Sequence, residues 1–240
     1  MNVGKPFRRA AIFGASGGIG GALATRLAER GVEVWTGSRS GTADTALRTF
    51  RFDLADEASI AAAAVAMAEA PPDLVVVASG VLTLENGAGP ERSYKQIDGA
   101  AMDEVFRLNT IGPALVAKHL LPLLPRDRRS VFAALSARVG SIGDNRIGGW
   151  HSYRASKAAL NMLLKNFAIE LGRTHRQAVV AGLHPGTVDS ALSEPFQANL
   201  PAGQLTRPAD AADNLLNVID GLTVTDSGGV FDWKGEAVPA

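Results

Sequence analysis

Tyr153 and Lys157 stand four residues apart in Ser152-Tyr153-Arg154-Ala155-Ser156-Lys157. On a helix that spacing is about one turn, so both side chains share a face. A free phenol titrates near ~10, too high for efficient proton exchange at neutral pH. An ammonium one turn away favours the phenolate and is expected to bring that value down. Such a pair could act as a general acid or base on a substrate oxygen. A half-exposed tyrosine beside a solvated lysine has the same spacing, so the pair needs support from elsewhere in the chain.

That support lies near the amino terminus. Gly14-Ala15-Ser16-Gly17-Gly18-Ile19-Gly20 follows the apolar run Arg9–Phe13 and opens a helical pattern. Glycines let the backbone turn sharply and approach a pyrophosphate, and the helix start offers free N–H groups and the positive end of its dipole. Gly14, Ser16, Gly18, Ile19 and Gly20 are therefore candidate phosphate contacts. In the first β–α turn of an alternating chain, this is the setting a dinucleotide site requires. The second apolar run ends in Thr36-Gly37-Ser38-Arg39-Ser40. No carboxylate is there to bind a ribose 2′-hydroxyl, whereas Arg39 and Ser38 could hold a 2′-phosphate. NADP(H) is expected ahead of NAD(H).

The elements that must position these residues alternate. Strands are expected over Arg9–Phe13, Glu33–Ser38, Thr49–Phe52, Leu74–Ala78, Ser130–Leu135 and Ala178–Leu183, most of them continuous apolar runs. Helices are expected over Gly18–Arg30, Asp56–Glu69, Ala100–Leu124, Ser152–Arg173 and Pro208–Asp220. Alternating β and α implies a doubly wound parallel sheet with helices on both faces, and one domain over residues 1–240. Val81–Gly99 and Ser190–Arg207 would leave the carboxyl edge of the sheet, as surface loops or as the walls of a substrate site.

Composition narrows the function classes. Lys+Arg and Asp+Glu are balanced at 24 each, so no overall field draws the chain to nucleic acid or an anionic membrane. There is no cysteine, which removes disulfides, thiolate nucleophiles and cysteine-based zinc sites and suits the cytoplasm. The apolar runs fall short of a membrane span, and Met1–Arg9 has no signal-peptide core. No His, Asp and Glu cluster has metal-ligand spacing, so no metal is expected.

The chain resembles the short-chain dehydrogenase/reductase family over nearly its whole length. The resemblance rests on the glycine turn, Asp53-Leu54 after the third strand, Asn109 in Asn109-Thr110-Ile111-Gly112, Tyr153 to Lys157, and Pro185-Gly186-Thr187-Val188. The Gly148–Asn161 run and the Gly229–Pro239 tail are similar to the small carbonyl reductases related to bacterial C-factor. It implies a Rossmann-type domain of about seven strands that moves a hydride between nicotinamide and a carbonyl or secondary alcohol carbon. It implies Tyr153 as the acid or base, Lys157 on the nicotinamide ribose as well, and Asn109 at a helix kink near Gly112-Pro113, supporting a water. It further implies Asp53 and Leu54 beside the adenine, Pro185, Gly186 and Val188 at the nicotinamide carboxamide with Ser190 adding a hydroxyl, and a homodimer or homotetramer.

Three departures from the family pattern follow. Its substrate-orienting serine sits near Leu135-Ser136-Ala137-Arg138-Val139-Gly140. An ungapped alignment on Gly140 puts Ala137 there, while Ser136 serves only if the strand end bulges or turns early, and Ser141 is an alternative. Ser136 is the candidate carried forward. The usual Asn-Asn-Ala-Gly turn reads Val77-Ala78-Ser79-Gly80, which leaves Ser79 and Gly80 as cofactor contacts, and Phe13 replaces a common threonine. These changes keep a second class open, a non-catalytic dinucleotide-binding regulator or C-factor-like signalling protein.

Overall fold

The structure, a computed structural model, describes residues 7–41, 47–199 and 204–240. Seven strands form one sheet: β1 (Arg9–Phe13), β2 (Glu33–Ser38), β3 (Arg48–Arg51), β4 (Leu74–Val77), β5 (Ser130–Leu135), β6 (Ala178–His184) and β9 (Val230–Asp232). Their order is β3-β2-β1-β4-β5-β6-β9, and every pairing is parallel. Two short strands, β7 (Thr187–Val188) and β8 (Leu205–Thr206), pair outside it. The expected Rossmann-type sheet is present. Its seventh strand, three residues long, is too short to stand out from turn residues in the sequence.

Among the described residues the α-helices are α1 (Gly18–Glu29), α2 (Glu57–Met67), α3 (Gly99–Phe106), α4 (Gly112–Leu120), α5 (His151–Leu171) and α6 (Pro208–Gly221). β4 shows why the strands read as continuous apolar runs. Leu74 and Val76 face a core closed by Leu23 and Leu27 of α1 and Leu215 and Ile219 of α6. Val75 and Val77 face the opposite core, with Ile60 and Met67 of α2, Val116 of α4 and Leu160 of α5. Successive side chains of a strand point to opposite faces, so a strand covered on both sides must be apolar throughout. Burying each such side chain contributes roughly 1.5–3 kcal/mol.

The single helix expected over Ala100–Leu124 is interrupted by a wider π turn, Arg107–Ile111. Pro113 has no N–H to give the Asn109 carbonyl four residues back, and the Gly112 N–H instead reaches five residues back to the Arg107 carbonyl. The distortion therefore falls just ahead of Gly112-Pro113 and has Asn109 at its centre.

The strand order reverses between β1 and β4, the position at which doubly wound sheets leave a crevice beyond the carboxyl ends of their strands. The loops after β1, β2, β4, β5 and β6 all contribute residues to one cavity there.

Candidate active site

The cavity encloses about 1220 Å³. Of the residues singled out in the sequence, Tyr153, Lys157, Ser136, Gly14, Ser16, Gly18, Ile19, Ser38, Arg39, Asp53, Leu54, Ser79, Gly80, Pro185, Gly186, Val188 and Ser190 all line it. Gly20 and Asn109 do not, and each acts from behind the wall. A Cβ on Gly20 would lie 2.2 Å from the Gly14 carbonyl oxygen, so Gly20 lets the turn fold onto α1. Among the described residues no cluster of His, Asp and Glu could hold a metal ion.

The glycine turn has the shape a phosphate needs. Gly14, at φ 101°, lies in the left-handed region, and its Cα meets Ser79, to whose hydroxyl a Cβ would come within 2.3 Å. Gly17 caps α1 without a side-chain hydrogen bond, so no capping side chain takes up the first N–H groups at the helix start, where Gly18 and Ile19 line the cavity. Phe13, in place of the common threonine, packs edge-on against Phe50 and Phe52 at 4.9 and 5.0 Å between ring centres, tying β1 to β3. Ser79 donates to the Phe13 carbonyl at 3.3 Å, replacing part of the bracing that the altered fourth-strand turn gives up.

The far end of this trough carries Arg39. Its guanidinium pairs with Glu85 at 2.7 Å, and both side chains are largely exposed. Ser38 is buried, its hydroxyl 3.2 Å from that of Ser40. The Asp53 carboxylate accepts from the Ala55 N–H in the turn that enters α2.

Tyr153 and Lys157 lie on the buried face of α5, with Leu160, Leu164, Ala168 and Leu171 continuing the same stripe. The Lys157 ammonium is 5.8 Å from the Tyr153 ring centre and donates to the Leu135 carbonyl at 2.9 Å. Burial raises the Tyr153 phenol to about 12 and lowers Lys157 to about 8. The expectation that the ammonium lowers the phenol is not met. Desolvation disfavours the charged form of each group, and it outweighs a cation at this distance.

Asn109 is fully buried. Its side-chain oxygen accepts from the Val81 N–H and its nitrogen donates to the Val81 carbonyl, both at 2.8 Å, with a further contact to Ser156 Oγ at 3.3 Å. It thus joins the π turn to the β4 loop and to α5, directly behind Lys157 and Gly80.

The β5 end bears on the serine. Ala137 remains extended, at φ −148° and ψ 142°, so the bulge or early turn that Ser136 requires is absent. Adjacent side chains consequently face opposite ways. Ala137 packs against Tyr153 and Leu82, whereas Ser136 donates to Asn161 Oδ1 at 2.6 Å, one turn beyond Lys157 on α5. Ser141 is buried and accepts from the Asp144 N–H, away from the cavity lining.

Both loops that broke the rhythm of the sequence supply walls, Val81, Leu82 and Leu84 from one, Ala191 and Leu192 from the other. Residues 200–203 of the second loop lie outside the described residues. Trp150, Arg154, Arg146 and His184 also line the cavity, the first three from the loop before α5 and the first turns of that helix. Trp150 is the only non-glycine among the described residues in the left-handed region, at φ 52°. Its N–H donates to the Glu91 carbonyl, and the buried Glu91 carboxylate accepts from the Ser152 N–H and hydroxyl. Glu91 therefore caps α5 from another loop and holds Trp150 edge-on to Tyr153, 6.2 Å between ring centres.

Residues 8–201 match the short chain dehydrogenase family. The chain belongs to that family. It is 35% identical over 169 residues to the C-signal protein of Myxococcus xanthus, covering 70% of this chain and 93% of that one. It is 30% identical over 223 residues to 1-hydroxy-2-glutathionyl-2-methyl-3-butene dehydrogenase of a Rhodococcus strain, covering 90% and 92%. In structure it resembles an NADPH-bound carbonyl reductase from chicken fatty liver, with a TM-score of 0.81 and 25% identity over 97% of this chain and 94% of that one. A short-chain dehydrogenase of this kind is an oxidoreductase by family, and its members act on small molecules with a nicotinamide dinucleotide. No helix among the described residues is long and apolar enough to cross a membrane.

Proposed function

We propose that the protein is a cytosolic, NADPH-preferring carbonyl reductase in which Tyr153 gives a proton to the substrate carbonyl oxygen. The observation that carries this reading is the buried Tyr153–Lys157 pair in the wall of the cavity that the glycine turn also lines. The residues present fit a dinucleotide: an uncapped helix start for the pyrophosphate, Asp53 and Leu54 at one flank, and Pro185, Gly186, Val188 and Ser190 along the other. Bound there, the nicotinamide supplies the hydride.

The chain's own residues supply the rest. A phenol held at about 12 stays protonated at physiological pH, the form a general acid needs for carbonyl reduction. Lys157 gives one donor to Leu135, and its remaining N–H groups are free to hold ribose hydroxyls and polarise Tyr153. Asn109 fixes the Val81 backbone and so the wall opposite. Ser136 is engaged with Asn161, and Tyr153 is the acid on which the reading rests.

NADPH preference rests on Arg39 and on the absence of a carboxylate at the β2 tip. The pair with Glu85 is exposed and worth at most about 1 kcal/mol, so a 2′-phosphate can displace it. Fluorescence titration of NADPH and NADH on wild type and Arg39→Ala tests this. NADPH should bind at least ~10-fold tighter, and the substitution should remove most of the difference. Equal binding of the two by wild type would contradict it. A second reading, a dinucleotide-binding signalling protein without turnover, is favoured by the similarity to C-signal and by Ala137 beside Tyr153.

A further inference from the structure

The substrate end of the cavity is not neutral. Arg154 directly follows Tyr153 and is partly buried. Its Nε donates to the Gly149 carbonyl and one Nη to the Val139 carbonyl, both at 3.1 Å. These two bonds fix the plane of the guanidinium and leave three of its five N–H groups unused. No carboxylate among the described residues pairs with it. Arg146, in the loop before α5, donates to the Gly143 and Asn145 carbonyls and likewise has no acidic partner, nor does Arg92. All three line the cavity. Of the acidic residues lining it near these loops, Asp144 is held by Arg138 at 2.6 Å and Glu85 by Arg39, which leaves Glu104 on α3. The surrounding wall is apolar, including Leu82, Val139 and Trp150.

A guanidinium held in one orientation with N–H groups left over and no acidic partner is suited to a bidentate carboxylate. We propose that the substrate is an amphipathic carbonyl compound bearing a carboxylate, which Arg154 binds through its free N–H groups while Arg146 adds charge at the rim. This rests on the reductase reading and narrows its substrate class. The apolar walls take the carbon frame. Arg154 acts as a specificity residue, since its guanidinium touches the substrate away from the reacting carbon.

The test compares 4-acetylbenzoate with its methyl ester, which has the same ketone without the charge, as substrates with saturating NADPH. Wild type should favour the acid by about ten- to a hundredfold in kcat/KM. That ratio should fall toward one in Arg154→Gln, fall less in Arg154→Lys, and fall in Arg146→Gln, whose exposed loop tolerates the change. Equal or better use of the ester by wild type, or a ratio unmoved by these variants, would overturn the proposal. If neither ketone is reduced, the reductase reading is decided by the wider carbonyl panel, and the anion site by thermal shift. A rise in midpoint with benzoate, missing with benzamide and lost in Arg154→Gln, supports the site. Equal shifts with the two, or none, overturn it.

Discussion

Ala137 and Ser136 show how one position on a strand decides a role. The sequence offers both, because the alignment and the chemistry of the side chain point to different residues. The backbone separates them: with β5 extended through Ala137, the methyl group faces Tyr153 and the Ser136 hydroxyl goes to Asn161. Ala137→Ser should therefore set a second donor beside Tyr153 and raise kcat for ketone reduction by ~10-fold, while Ser136→Ala changes kcat less than ~3-fold. Steady-state kinetics on the two variants checks this. A loss of two orders of magnitude in Ser136→Ala would make Ser136 the carbonyl donor. The nearness of Tyr153 and Lys157 was legible from their spacing, but their electrostatics were not. Spacing gives proximity, whereas the direction of the phenol's shift depends on how much water the fold removes from both groups.

At the scale of elements, β1, β4 and β5 read cleanly because two-sided burial writes itself as continuous apolar runs. What stayed hidden were features made by long-range contacts. The kink at Asn109 was expected from Gly112-Pro113, and only its form, a π turn, was not. The cap on α5 comes from Glu91, some sixty residues earlier, and no local pattern at Trp150 announces it. α5 carries a further consequence. Met162 and Ile169, two turns apart, are 63% and 52% exposed, a costly arrangement for a helix whose other face is core. We expect this face to be covered by a second copy, giving a homodimer or homotetramer at micromolar concentration. Sedimentation should show the oligomer for wild type and a monomer for the Met162→Glu, Ile169→Glu double variant. A monomeric wild type would contradict the expectation.

Across the whole molecule, the reversal of strand order between β1 and β4 gathers residues from opposite ends of the chain into one cavity. Gly14 and Lys157 are far apart in sequence, and only the topology brings both to the wall of one cavity. The balanced net charge conceals the arginines that the loops concentrate around that cavity, which is why composition gave no hint of the proposed anionic substrate. The fold places a phenol, a buried ammonium and an uncapped helix start around a single space, and the proposed reductase activity rests on that arrangement. The most direct test is NADPH oxidation at neutral pH against a panel of ketones and aldehydes, with wild type and Tyr153→Phe compared at equal folded concentration. Wild type should turn over at least one carbonyl compound, and Tyr153→Phe should lose ~100-fold or more in kcat while still binding NADPH. NADPH binding without turnover of any carbonyl, or Tyr153→Phe as active as wild type, would contradict Tyr153 as the acid.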